Sequence, residues 1–188
     1  MNLADAEDVK AATSMLLRAL EGTESRRDGL ADTPARVARF WLEWRGEAPP
    51  ALTTFDAEQA DQLVVQVGIP VYSLCEHHLL PFFGTAVVGY LPGTRIVGLS
   101  KLARVVRYLG ARPQNQERLT RQVAEAVHKA PGLAPLGVGV VLRCRHLCME
   151  MRGVRATGAE TVTSHLEGVL RTDAAARAEF LDLAGGAR

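Results

Sequence analysis

The chain has 188 residues, 47% of them apolar and 23% charged, the make-up of one globular domain with an appendage and not of a disordered or fibrous chain. Its 22 Lys and Arg balance 21 Asp and Glu to a net charge of +1, which excludes a basic nucleic-acid coat and an acidic tail. Three cysteines do not pair into a disulfide framework, no apolar run approaches the ~18 residues of a membrane span, and the opening MNLADAEDVK is too acidic for a secretory signal. The expectation is a cytoplasmic protein with no nucleic-acid and no membrane partner.

In chain order, Val9, Ala12, Leu16 and Leu20 recur at helical spacing and predict a helix over about 5–21, stopped by Gly22. Thr33 reads as an N-cap, with Pro34 at the first position of a second helix. Pro49 and Pro50 then mark a linker. The expected organisation is an N-terminal helical segment over 1–50 and a second domain over 51–188.

The second domain opens with Leu63, Val65, Val67, Ile69 and Val71 alternating onto one strand face. GTAVVGYLPGTRIVGL predicts a hairpin turned at Pro92 and Gly93. Ser100 reads as the cap of a helix with Leu102, Val105, Val106 and Leu109 on one face, ended by Gly110. A helix over about 115–129 buries Leu119, Val123 and Val127. GVGVVLRCRHLCM and ETVTSHLEGVLR read as strands, and a helix capped by Thr172 closes the chain. Strands, two helices, strands and a helix imply an α+β layer and not a doubly wound sheet.

The densest chemistry lies in CEHHLLPFFG. Cys75 and His78 are spaced so that one tight turn can aim a thiolate and an imidazole at one ion. The second cluster, CRHLCM, offers Cys148 or Cys144. On strand alternation both share the face of His146, so spacing does not choose, and burial in an apolar strand would account for either. Two cysteines and one histidine would leave an open position, as in catalytic zinc sites. His77 and His146 remain over, either as proton shuttles or as hydrogen-bonding partners of the ligands.

Lys101 and Arg104 share a helix face in GLSKLAR, Arg152 and Arg155 follow the second cluster, and Arg36 stands in TPAR. Cations beside a helix N-terminus suit an anion. Glu117 opens a helix, where it either favours the dipole or accepts the N1–H and 2-amino hydrogens of a guanine.

The ordered set GLADTPARVARFW, SLCEHHLLPFFG, YLPGTRIVGLSKLARVV, RPQNQERLT, HLCMEMRGVR and TVTS resembles the GTP cyclohydrolase I family, over about residues 8–183. The resemblance implies a T-fold: an antiparallel sheet with two helices on one face, subunits closing into a pentameric barrel, and two rings forming a homodecamer with active sites at subunit junctions. It implies GTP as substrate, water attack at guanine C8, release of formate, and rearrangement to 7,8-dihydroneopterin triphosphate for folate or biopterin synthesis. Zn2+ would be held by Cys75, His78 and Cys148. His77 and His146 would be catalytic acid–bases assisted by Ser100. Gln116 and Glu117 would recognise guanine, and Lys101, Arg104, Arg36 and Arg152 would surround the triphosphate.

Asn115, Cys144, His165 and Glu167 depart from the family's usual residues. Two other readings are a zinc or GTP-binding module without turnover and a paralogue feeding a deazapurine pathway. A zinc nucleobase deaminase would need a P-C-x-x-C downstream of its H-x-E, which is absent.

Overall fold

A computed structural model describes residues 3–45 and 48–185. The chain falls into two units, Met1–Glu47 and Ala48–Arg188. In the first, α1 (Leu3–Glu21) leads through a 3-10 turn (Gly22–Arg26) and a short α2 (Asp28–Ala31) to α3 (Thr33–Arg45). Ala6 and Ala38 are buried, while Leu16 and Leu20, the positions that predict α1, stay exposed. Asp32, not Thr33, holds the cap position of α3: its carbonyl accepts the Arg36 N–H at 2.9 Å. Gly46 and Glu47, in the predicted linker, lie outside the described residues.

The second unit contains β1 (Thr54–Asp56), β2 (Val64–Cys75), β3 (Pro81–Leu91), β4 (Arg95–Val97), α4 (Leu99–Gly110), β5 (Pro113–Gln114), α5 (Gln116–His128), β6 (Gly137–His146), α6 (Leu147–Glu150), β7 (Glu160–Gly168), α7 (Val169–Thr172) and α8 (Ala174–Gly185). The main sheet runs β5-β2-β3-β6-β7 and is antiparallel except for the short β5. Helices α4 and α5 cover one face. Leu102, Val105, Val106, Leu119, Val123 and Val127 bury their predicted stripes against Ile69, Val71, Val88, Val140 and Leu142. On the other face Phe180 of α8 packs with Val87 and Val141, over glycines at 89 and 139 where a Cβ would meet its ring at 2.9 and 2.6 Å. This is the α+β arrangement of the T-fold. Among the described residues no helix is long and apolar enough to cross a membrane.

Three expectations fail for physical reasons. The five alternating residues from Leu63 to Val71 do not share a face. Gln66 pairs with Val88 but Ile69 with Ala86, so β2 carries an extra residue beside Gly68 at φ +68°, a bulge that inverts the alternation. Leu63 and Val65 therefore pack beside Phe180, Val67 is exposed, and Ile69, Val71, Ser73 and Cys75 turn inward.

The predicted hairpin at Pro92–Gly93 does not form, because β2 and β6 already occupy both edges of β3. Strand β4 pairs with β1 instead, and the Val97 N–H donates to the Tyr90 hydroxyl at 3.0 Å. Nor do the predicted hydroxyl caps hold: Gly98 precedes α4, making Ser100 its second residue. Asp173 Oδ1 accepts the Ala176 N–H at 2.8 Å and caps α8 in place of Thr172.

Candidate active site and metal centre

The bulge in β2 delivers Cys75 inward at the strand's end, and a tight turn follows. The N–H groups of His78 and Leu79 both donate to the Cys75 carbonyl, at 3.2 and 2.8 Å, while the Cys75 N–H reaches Leu80 O at 2.8 Å. Leu79 takes φ +54° to close the turn. His78 is thereby folded back, with Nδ1 3.7 Å from Cys75 Sγ; His77 Nδ1 lies at 3.7 Å from the same sulfur.

Strand β6 ends at His146, so Cys148 sits on the single turn of α6 and not on a strand. That removes the ambiguity between the two cysteines. Cys144 stays in the sheet, fully buried, and burial pushes its thiol up to about 12. The ligand atoms of Cys75, His78 and Cys148 lie within 4.8 Å of one another. Tetrahedral donors with bonds of 2.0–2.3 Å stand about 3.6 Å apart, so the two sulfurs and one imidazole fit a single soft or borderline ion. Burial first, and then Cys75 beside it, raises the Cys148 thiol above its ordinary range; a cation would reverse that balance.

Neighbouring cations fix this group. Arg152 Nη1 lies 2.8 Å from His78 Nε2. A guanidinium only donates, so Nε2 accepts in this arrangement, a bond that gives way when a neutral His78 takes an ion through either nitrogen. Arg145 grips Glu150 through two hydrogen bonds, at 2.8 and 2.6 Å, clasping the segment that carries Cys148 and holding the Glu150 carboxyl below its usual range.

His146 is held on two sides. Its ring stacks on Phe82 at 4.7 Å, and Nε2 lies 2.7 Å from Gln116 Oε1. The Gln116 amide nitrogen donates to Leu142 O, Thr161 O and Thr163 Oγ1, at 3.2, 2.9 and 3.0 Å. Those three acceptors aim the amide oxygen at His146, whose Nε2 donates and whose Nδ1 is left to accept in the neutral form. Burial lowers the His146 pKa, and the Glu117 carboxylate opposes it. Gln116, expected to face a guanine, is 1% exposed, and both ends of its amide are engaged within the chain, the oxygen on His146. The next residue along the helix, Glu117, is exposed and borders a cavity of about 440 Å³ with Arg118, Arg121, Thr163, Ser164 and His165. His165 and Glu167 do spell H-x-E, but they bond each other at 3.0 Å, and no cysteine follows Cys148.

Of the remaining cations, Lys101 and Arg104 lie on α4. The end of α4 lies by β2, where Ser73 Oγ donates to Arg112 O at 3.1 Å. Its start follows β4, which is bonded to Tyr90. Tyr90 and Phe82 are 90 − 82 = 8 positions apart on β3, about 26 Å at 3.3 Å per residue, and the helix itself spans about 18 Å. Ser100 and Lys101 therefore begin α4 at the opposite end of the sheet from Cys75 and His146, and Arg104 lies midway along the helix. Arg36 lies on α3 of the first unit, donating to Gly29 O at 3.0 Å and Thr33 Oγ1 at 3.2 Å.

Two residues with no assigned role in the sequence reading, Glu76 and Arg118, form an ion pair beside the ligand turn. They are 42 positions apart, and no local periodicity signals the pairing.

The family described as GTP cyclohydrolase I matches residues 9–185. GTP cyclohydrolase 1 of Nitrosospira multiformis is 56% identical over 175 residues, covering 90% of this chain and 90% of that protein. GTP cyclohydrolase 1 of a Janthinobacterium species is 53% identical, with 87% and 84% covered. The enzyme of that name from Thermoanaerobacter pseudethanolicus is 46% identical, with 95% and 96% covered. With that likeness running through both units, from the first helix to the last, the chain belongs to the GTP cyclohydrolase I family.

Proposed function

We propose that the chain converts GTP to 7,8-dihydroneopterin triphosphate and formate, using a zinc ion held by Cys75, His78 and Cys148. The observation that carries this is the convergence of three ligand atoms within 4.8 Å in a unit that also locks His146 by Gln116 and Phe82. A bound zinc supplies a Lewis acid that lets water act as a nucleophile at neutral pH.

The chain's own residues do the rest. Glu117, with no hydrogen-bond partner among the described residues, accepts from the guanine N1–H and 2-amino group and rejects adenine, which lacks that donor pair. His77 and His146 hand protons to N7 and then to the ribose ring oxygen as the imidazole ring opens and the sugar rearranges, with Ser100 assisting. Gln116 keeps His146 in one tautomer. Lys101, Arg104, Arg36 and Arg152 bind the triphosphate, which changes no bond but anchors the reacting end.

The separation of Ser100 and Lys101 from the ligand turn supports a site completed by a second copy, in the homodecamer of two pentamers that the family resemblance implies. Cys75 and Cys148 must stay reduced to take the ion as thiolates, which suits the reducing cytoplasm. The test is formate release from GTP by zinc-loaded and by chelator-stripped protein. Release with zinc only is expected. GTP binding without formate in the zinc-loaded protein would refute the reading and leave a binding module.

A further inference from the structure

Hydrogen bonds around Glu76 join parts of the site that the chain keeps far apart. Glu76 stands between Cys75 and His77 in the turn after β2. Its Oε2 pairs with Arg118 Nη2, its Oε1 accepts from Asn115 Nδ2 at 3.1 Å, and His77 Nε2 lies 3.9 Å from that same oxygen. Its N–H donates to Gln114 O at 2.9 Å.

Arg118 is tied at a second point, because its Nε donates to Gln114 Oε1 at 2.8 Å. Gln114 is buried and donates in turn to Leu109 O at 3.0 Å and Gln122 Oε1 at 2.8 Å. One carboxylate thus links the ligand turn, β5, the end of α4 and the first turn of α5. That first turn also carries Gln116 and Glu117.

An exposed ion pair with free ends contributes little. This one differs: the two side chains are 29% and 34% exposed, and each is bound to a further partner on another element. Asn115 caps α5 through its oxygen, accepting the Arg118 N–H at 2.8 Å, while its nitrogen serves Glu76. The geometry is over-determined, as preorganised sites require.

We propose that Glu76 and Arg118 are positioning residues: their ion pair sets the ligand turn against α5, so that the Cys75–His78–Cys148 group meets His146 at a fixed separation. This rests on the reading of the site given under the proposed function. His146 is held by β6, β7 and Gln116, so loss of the ion pair loosens the ligand turn and leaves the histidine in place.

Arg118→Gln removes the charge and keeps a polar side chain; Arg118→Lys keeps the charge and loses the planar fork. In Arg118→Gln, zinc affinity measured by competition with a chromophoric chelator falls about tenfold, as for outer-shell partners of metal ligands. The kcat for formate release falls by a similar factor, the KM for GTP stays within about twofold, and Arg118→Lys recovers part of both losses. The double variant Glu76→Gln/Arg118→Gln is no worse than Arg118→Gln alone, because both changes break one pair.

Zinc affinity and kcat within about twofold of the parent in Arg118→Gln, a rise in KM alone, or losses that multiply in the double variant would each overturn the proposal. Zinc competition needs no turnover, so a parent protein that holds zinc but releases no formate refutes the reaction while leaving this measurement readable.

Discussion

Replacing Gln116 by methionine separates two roles that the sequence leaves merged. Methionine keeps the bulk and reach of glutamine and removes its donor and its acceptor. Thr163 Oγ1 retains the Thr120 hydroxyl at 2.6 Å, but Leu142 O and Thr161 O each lose a donor. At about 1 kcal/mol for each of these two carbonyls alone, stability falls by at least about 2 kcal/mol, or about 4–8 °C in Tm for a domain of this size. His146 keeps its stacking on Phe82 but loses the acceptor that fixes its tautomer.

The kcat for formate release then drops about 10–100-fold, corresponding to about 1.4–2.8 kcal/mol of barrier. The KM for GTP stays within about twofold, since only a contact common to ground and transition states would raise it alone. Steady-state kinetics on zinc-loaded protein, below the lowered Tm, gives both numbers. A tenfold rise in KM with kcat intact would refute the positioning role and make Gln116 a guanine contact.

Four further outcomes are expected. Cys148→Ser loses both bound metal and formate release, whereas Cys144→Ala keeps the metal in equilibrium dialysis and loses only stability. The Cys144 thiol has a folded pKa raised from 9.0 to about 12, so its contribution to stability is complete below pH 9 and disappears as pH rises through about 12; alkaline unfolding followed by circular dichroism should lose that component in Cys144→Ala. His146→Ala and Lys101→Ala proteins, inactive alone, regain about a quarter of parental activity when co-assembled in equal amounts, because about one junction in four joins two intact half-sites; no recovery would mean that one copy holds a complete site. Gly139→Ala, which puts a Cβ 2.6 Å from the Phe180 ring, costs about 1–3 kcal/mol by overpacking, read as a lowered Tm with the metal centre unaffected.

Much of the helical layer was legible because its signal is local. The stripes Leu102–Val105–Val106 and Leu119–Val123–Val127 predict their own burial, since a helix face needs no distant partner to be recognised. The bulge at Gly68 was not legible. It depends on which residues of β3 lie opposite, and one extra residue changes the face of everything after it, Cys75 included. The hairpin at Pro92–Gly93 failed for a related reason: turn residues suggest a reversal, but β3 had no free edge to accept β4.

The site divides in the same way. The sequence by itself determined the ligand types, the close pair Cys75 and His78, the two spare histidines, and the likeness to one family. Each is a matter of residue identity and short spacing. Spacing left Cys148 and Cys144 open and the family resemblance pointed to Cys148; the tertiary structure supplied the physical reason, by ending β6 at His146 and turning the next four residues into α6. It alone withdrew Gln116 behind His146, paired Glu76 with Arg118, and put Lys101 at the far end of the sheet from the thiols. Each outcome depends on contacts between segments dozens of residues apart, where register and burial, and not the residues' own chemistry, settle what a side chain can reach.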